Sequence, residues 1–221
     1  MELLALLKNA APVMLTGAGY TLLFAMASML GGLLLGFPVA LLRMARHAWL
    51  RLPAALYVSV MRGTPLLVQI FVIYYGLPSI GIEFTPVTAG VLALSLNAGA
   101  YLSESIRGAI DSIHPGQWRA SFSLGLGYWH TLGHIILPQA MRVAVPSMSN
   151  TLISLIKDTS LVSVITMTEL MLTTKEVIAT TFRPLPLYLA AAALYWCMSL
   201  AFEAVQRRLE RRLGRGHRVA H

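Results

Sequence analysis

An all-α membrane protein with five transmembrane helices is the fold this sequence predicts, its N-terminus outside and its C-terminus in the cytoplasm. Three observations carry that expectation. Hydrophobic residues make up 57% of the chain and charged residues 12%, about half the charged share of an ordinary soluble domain. Mean hydropathy is +0.68. Long uncharged runs recur along the 221 residues, and a soluble chain of this size has no core large enough to bury them all.

The first span is expected over residues 17–42, which carry no charge and exceed the roughly 20 residues a helix needs to cross a bilayer. It holds Gly17, Gly19, Ser28, Gly32 and Gly36. Gly32 and Gly36 form a G-x-x-x-G that lets helix backbones approach closely. Glu2, Lys8 and Asn9 precede the span without a small-residue cleavage site, so it is expected to stay as an anchor. The second span, 55–79, contains Arg62-Gly63-Thr64-Pro65. Pro65 removes a backbone donor and should kink the helix. Arg62 either snorkels to the interface or faces a pathway.

The third span, 85–108, ends in Asn97, Tyr101, Ser103, Glu104 and Arg107. Glu104 and Arg107, three apart, can pair on one helix face, and an ionisable residue at membrane depth is a functional candidate. The fourth, 140–168, is interrupted by Lys157 and Asp158, followed by Thr159 and Ser160. These groups are costly against lipid and should face protein or a water-filled cavity. The fifth, 184–206, holds Cys197, the single cysteine. It rules out an internal disulfide and a cysteine metal cluster, and a packed, inert thiol is expected.

Between the third and fourth spans lies a polar, aromatic, Gly-punctuated loop, residues 112–138. Pro115-Gly116 should end the incoming helix. Residues 117–124 read as a short helix, Gly125 to Gly127 as a turn and 128–136 as a second short helix ended by Leu137-Pro138. Lys and Arg fix the side. Arg43, Arg46 and Arg51, then Arg107, Arg119 and Arg142, then six arginines of the 207–221 tail all fall on one side. Only Lys8, Lys175 and Arg183 fall on the other. The loop is therefore expected in the cytoplasm.

Several functions are excluded. The net charge of +8 sits largely in the tail, where topology and anionic headgroups explain it without nucleic acid. His130 and His134 are four apart, but Thr131 stands where a zinc protease needs Glu. Gly125 and Gly127 lack the third glycine of a dinucleotide fingerprint, and no phosphate-binding G-x-x-x-x-G-K-[ST] occurs. No catalytic or metal site is expected, and any ATP must be bound by another polypeptide.

The loop carries Arg119-Ala120-Ser121, then Leu124-Gly125, then Ile136-Leu137-Pro138. It resembles the cytoplasmic docking motif of membrane subunits of ABC importers. RGTPLLVQIFVIYYGLP, AYLSESIRGAI and NTLISLIKDTSLVSVI, between residues 62 and 165, resemble the polar amino acid subfamily, which handles histidine, arginine, glutamine, glutamate, cystine and opines. Arg119 stands where the family usually has Glu, and Ser121 where it has a second Ala, so the partner surface should differ in charge.

The resemblance implies a single permease domain over residues 1–221, in a bacterial cytoplasmic (inner) membrane. It implies a second permease subunit, identical or homologous, and a pair of ATPase subunits that bind ATP-Mg and grip Arg119, Ala120, Ser121, Leu124, Gly125, Leu137 and Pro138. An external binding protein would deliver a polar amino acid, touching Lys175, Arg183 and the 77–85 loop. Arg62, Asn97, Glu104, Lys157 and Asp158 are the pathway candidates, since a zwitterion needs partners of both signs. Two rivals remain: a secondary transporter driven by an ion gradient, against which the absence of visible repeats counts, and a non-transporting anchor subunit.

Overall fold

The computed structural model describes residues 2–214, with side chains over 3–211. Arg215 and Arg218 of the basic tail, and the side chain of Arg212, lie outside the described residues. The described residues form helices joined by short turns, without a strand. Helix α1 (Glu2–Arg43) has 42 residues, about 63 Å at 1.5 Å per residue. That is twice a hydrocarbon core of about 30 Å. The uncharged run 17–42 is thus only the later part of a longer helix, because backbone hydrogen bonding continues where hydropathy falls.

Where one bent span was expected, the chain breaks. Helix α2 (Ala48–Gly63) is followed by α3 (Leu66–Phe71), which continues through a π turn (Val72–Gly76) and a 3-10 turn (Leu77–Ile80). The two parts meet at 109°. Thr64 is extended, φ −120° and ψ 147°, because a residue before proline is pushed out of the helical region. The Tyr57 hydroxyl donates to the Leu96 carbonyl at 2.6 Å, tying α2 to α4 (Pro86–Asp111). The Thr85 hydroxyl caps α4, accepting from the Thr88 amide at 3.2 Å, and Pro86 takes the first turn, where its missing donor is harmless.

The loop after α4 forms α5 (Pro115–Ser123) and α6 (Tyr128–Thr131). A turn at Gly125 separates them, as the glycines suggested. Leu137-Pro138 does not end the second helix. A π turn (Leu132–Ile136) carries α6 straight into α7 (Leu137–Asp158). The Leu137 amide donates to the Leu132 carbonyl, five residues back. The widened turn makes room for a proline ring that would otherwise strike the carbonyl four residues earlier. The same arrangement precedes Leu77-Pro78, with the Leu77 amide on the Val72 carbonyl.

The expected fourth span also breaks. Regular helix stops at Asp158, a 3-10 segment (Thr159–Ile165) follows, and α8 (Leu170–Thr181) leaves at 51°. Helix α8 was not foreseen. Its N-cap is Glu169, whose carboxylate accepts from the Leu172 amide at 2.8 Å, rather than one of the usual capping residues. Helix α9 (Pro184–Gly214) closes the chain. By length and apolarity α1 and α9 can each cross a membrane, and the two bent pairs raise the number to four.

Half of the 26 residues of α4 are buried, which is why this more polar helix can occupy the middle. Phe24, Ala25 and Met29 of α1 pack there with Ala93, Leu94 and Ala98 of α4, Ile70 of α3 and Leu155 and Ile156 of α7. A second cluster joins Ala40, Ile106, Ile110, Leu132 and Ile136, anchoring the α5–α6 loop to α1 and α4. A third joins Ala10, Met14 and Ala18 to Leu170 and Leu187 at the other end. Gly32 and Gly36 serve the α1–α4 contact within this chain. A methyl group on Gly36 would lie 2.8 Å from the Gly99 carbonyl oxygen.

Candidate functional site

A cavity of about 580 Å³ lies between the α2–α3 break, the middle of α4 and the C-terminal half of α7. Asn97, Lys157 and Asp158 line it, with Thr64, Tyr101, Ser105, Ser147 and Asn150. Three of the five pathway candidates therefore share one space. Lys157 is exposed and Asp158 half-buried. The Ser105 and Ser147 hydroxyls bond at 2.7 Å, joining α4 to α7 in the cavity wall. Opposite charges beside neutral hydroxyl and amide groups can receive an ammonium and a carboxylate at once.

The break supplies part of this wall. The Gln69 amide donates to the Met61 carbonyl at 2.8 Å, the Thr64 carbonyl at 3.1 Å and the Thr64 hydroxyl at 2.9 Å. The Asn97 amide donates to Met61 at 3.2 Å and to the Gln69 side chain at 3.0 Å. Carbonyls freed by the interrupted helix are thus satisfied from within, as buried backbone requires. Asn97 was singled out from the sequence and Gln69 was not. Its only signal was an amide side chain four residues after a proline in an otherwise apolar run.

Arg62 and Glu104 stand apart from the cavity lining. Glu104 is the centre of an ion cluster: it contacts Arg43, and bonds Arg62 at 3.1 Å and Arg107 at 3.0 Å. Arg107 also bonds Asp111 at 2.6 Å. The pairing of Glu104 with Arg107 was foreseen. The part of Arg43 was not, because it lies 61 positions away on α1 and had counted only toward orientation. The Arg62 guanidinium also lies 5.3 Å from the ring centre of Tyr101, a cavity residue. Such a cation–π contact joins the two features.

At the far end, the α5–α6 loop is built to keep a fixed shape. His114 caps α5, its Nδ1 accepting from the Gly116 amide at 3.0 Å. The helix closes in a Schellman arrangement, with Leu126 amide on Ser121 carbonyl at 3.1 Å and Gly125 amide on Phe122 carbonyl at 3.0 Å. Gly125 has φ +78°, a conformation that a side chain disfavours. Trp118 stacks on Tyr128 at 5.5 Å. Arg119, Ala120, Leu124, Gly125 and Pro138 are exposed, and Leu137 is half-buried. Ser121 is buried and donates to the Gln117 carbonyl at 2.8 Å, so it shapes the loop from inside. Leu124 and Trp129 are 80% and 72% exposed, an apolar surface of the kind that awaits a partner.

Cys197 is exposed on α9, not packed as its apolar span suggested. Its neighbour Trp196 is exposed too, so this face meets something outside the chain. Among the described residues no cluster of metal-ligating side chains occurs.

Residues 32–215 match the family described as binding-protein-dependent transport system inner membrane component. The chain is 44% identical to the probable amino-acid ABC transporter permease protein YckA of Bacillus subtilis, over 91% of this chain and 89% of that one. It is 43% identical to the L-cystine transport system permease protein TcyB of the same organism, over 92% and 88%. With the glutamine transport system permease protein GlnP of Escherichia coli the identity is 39%, over 92% and 94%. Among solved structures, an amino acid ABC transporter crystallised with histidines superposes at TM-score 0.90 with 35% identity, covering 96% and 99% of the two chains. An inward-facing methionine ABC transporter superposes at 0.80 with 18% identity, covering 93% and 98%, a likeness of fold.

Proposed function

Because this chain belongs to the family of inner membrane components of binding-protein-dependent transport systems, we infer that its polar cavity is where an amino acid crosses the membrane. The chain is the permease subunit of an ATP-driven ABC amino acid importer and is not itself an enzyme. An ion-gradient transporter is set aside on the same ground. Import by such a subunit involves an ATPase and a binding protein.

The five spans are α1, the α2–α3 pair, α4, the α7–α8 pair and α9, with the N-terminus outside and the C-terminus inside a bacterial inner membrane. Two permease subunits, identical or homologous, face each other. Two ATPase subunits, which bind the ATP-Mg, hold the α5–α6 loops at Arg119, Ala120, Leu124, Gly125, Leu137 and Pro138. When they close, each rigid loop transmits the motion through the Leu132–Ile136 cluster into α4 and α7, which form two walls of the cavity. Access then alternates between the two faces. The substrate is a polar amino acid, its carboxylate toward Lys157 and its ammonium toward Asp158, with Asn97 holding the break in shape.

The observation that carries this reading is the meeting of Asn97, Lys157 and Asp158 in one cavity. Glu104 and Arg62 act beside it, holding α1, α2 and α4 together. The test is uptake and substrate-stimulated ATP hydrolysis by the reconstituted transporter. Asp158→Asn removes one charge from the cavity and should lower uptake at least tenfold, about 1.4 kcal/mol. Unchanged uptake and unchanged stimulation in both Asp158→Asn and Lys157→Gln would remove the cavity from the pathway.

A further inference from the structure

A second, larger groove of about 770 Å³ opens where α1 turns into α2. Its walls are apolar: Leu41, Leu42, Ala45 and Leu50 on one side, Tyr128 and Trp129 on the other. Arg46 and His47 also line it, and both are exposed. No Asp or Glu occurs between residues 3 and 82, or between 112 and 157. Both walls come from these acid-free stretches. The groove therefore joins an apolar floor to a cationic edge with no internal anion.

An exposed apolar stripe also runs along α2, starting two residues after the groove residue His47. Trp49, Leu52, Leu56 and Val60 are 72%, 62%, 65% and 45% exposed, at helical spacing on one face. A face like that on a membrane helix is covered by hydrocarbon. Trp49, Tyr128 and Trp129 stand at its cationic end, the position aromatic side chains favour at an interface.

We propose that this groove holds an anionic phospholipid of the cytoplasmic leaflet, its acyl chain along the α2 stripe and its phosphate at Arg46 and His47. The site rests on the membrane placement and orientation given above, and is independent of which substrate is carried. It adjoins Tyr128 at the start of α6, so a bound lipid would brace the loop that the ATPase grips.

The test is native mass spectrometry of the detergent-purified full chain, titrated with equal amounts of dioleoyl phosphatidylglycerol and phosphatidylethanolamine. One phosphatidylglycerol should be retained with about fivefold preference, the size expected of roughly 1 kcal/mol from the Arg46 charge. The double variant Arg46→Gln, His47→Gln should bring the two lipids near parity. Ala45→Trp keeps the charge but fills the groove, and should also lose the lipid. Size-exclusion profiles matching the parent identify folded variants, and a variant that fails this check is replaced by Leu42→Trp. Equal retention of both lipids by the parent, or unaltered preference in both variants, would overturn the site. So would loss of ATPase capture by Ala45→Trp with lipid retention intact, which would give the groove to the ATPase. The readout is lipid retention rather than uptake, so its failure leaves the transport reading untouched.

Discussion

Glu104 pairs with three arginines brought from three helices, Arg43, Arg62 and Arg107. Replacing it by glutamine leaves three cations facing one another with Asp111 alone nearby. The cluster is part-exposed, so the expected loss lies between the values for surface and buried pairs, about 1–3 kcal/mol. Thermal unfolding in detergent should show Glu104→Gln several degrees below the parent. Arg107→Gln should fall less, because Glu104 keeps two partners. Equal shifts would mean that Glu104 acts only through its helical neighbour. A residue scale of reading found Glu104, Arg107 and Arg62 because charges stand out against apolar sequence. It could not find Arg43 as their partner, since the pair lies 61 positions apart and only folding joins it.

Helices here are cut and joined by few residues. Gly36 lies against the Gly99 backbone with no room for a side chain, whereas Gly19 faces open space. Gly36→Leu should therefore lower thermal stability sharply, and Gly19→Leu should leave it within about 0.5 kcal/mol of the parent. Comparable losses in both would show that helix propensity, not the α1–α4 contact, sets the effect. Gly125→Ala strains the loop by about 1–2 kcal/mol. Hydrogen exchange should quicken in α5 and the following turn while α4 stays protected. The G-x-x-x-G and the turn were legible because only glycine permits such approaches and such dihedrals. The passage of helix through Pro138 was not, since a π turn leaves no compositional mark. Helix α8 was hidden for a related reason: Thr173 to Glu176 interrupt its apolar positions, and its cap is an unusual Glu.

At the scale of the whole molecule, orientation is open to direct test. In a Cys197→Ser background, a cysteine at Ser123 should react with an impermeant thiol reagent only from the cytoplasmic side, and one at Thr180 only from outside. Reaction of both from one side would end the five-span topology. Cysteines at Ser147 and Thr151, which line the cavity, should react from water, whereas one at Leu189, 61% exposed on α9, should not. The broad exposed apolar surface explains this contrast. Along α2 and α9 it is left uncovered by the rest of the chain, while polar residues gather around α4.

The sequence by itself determined that the chain is helical and enters a membrane, because uncharged runs of this length have no other stable environment. Its loop pattern also pointed to the kind of machine through its resemblance to a family motif, which the family match bears out. Only the tertiary structure decided which polar residues meet. It put Lys157 and Asp158 in a cavity with Asn97, assigned Glu104 to a three-helix clamp, and enlisted Gln69 to close the break at Pro65. The physical reason is that helix breaks and ion clusters are settled by hydrogen-bond satisfaction across helices. Such partners lie tens of residues apart and leave no periodic trace.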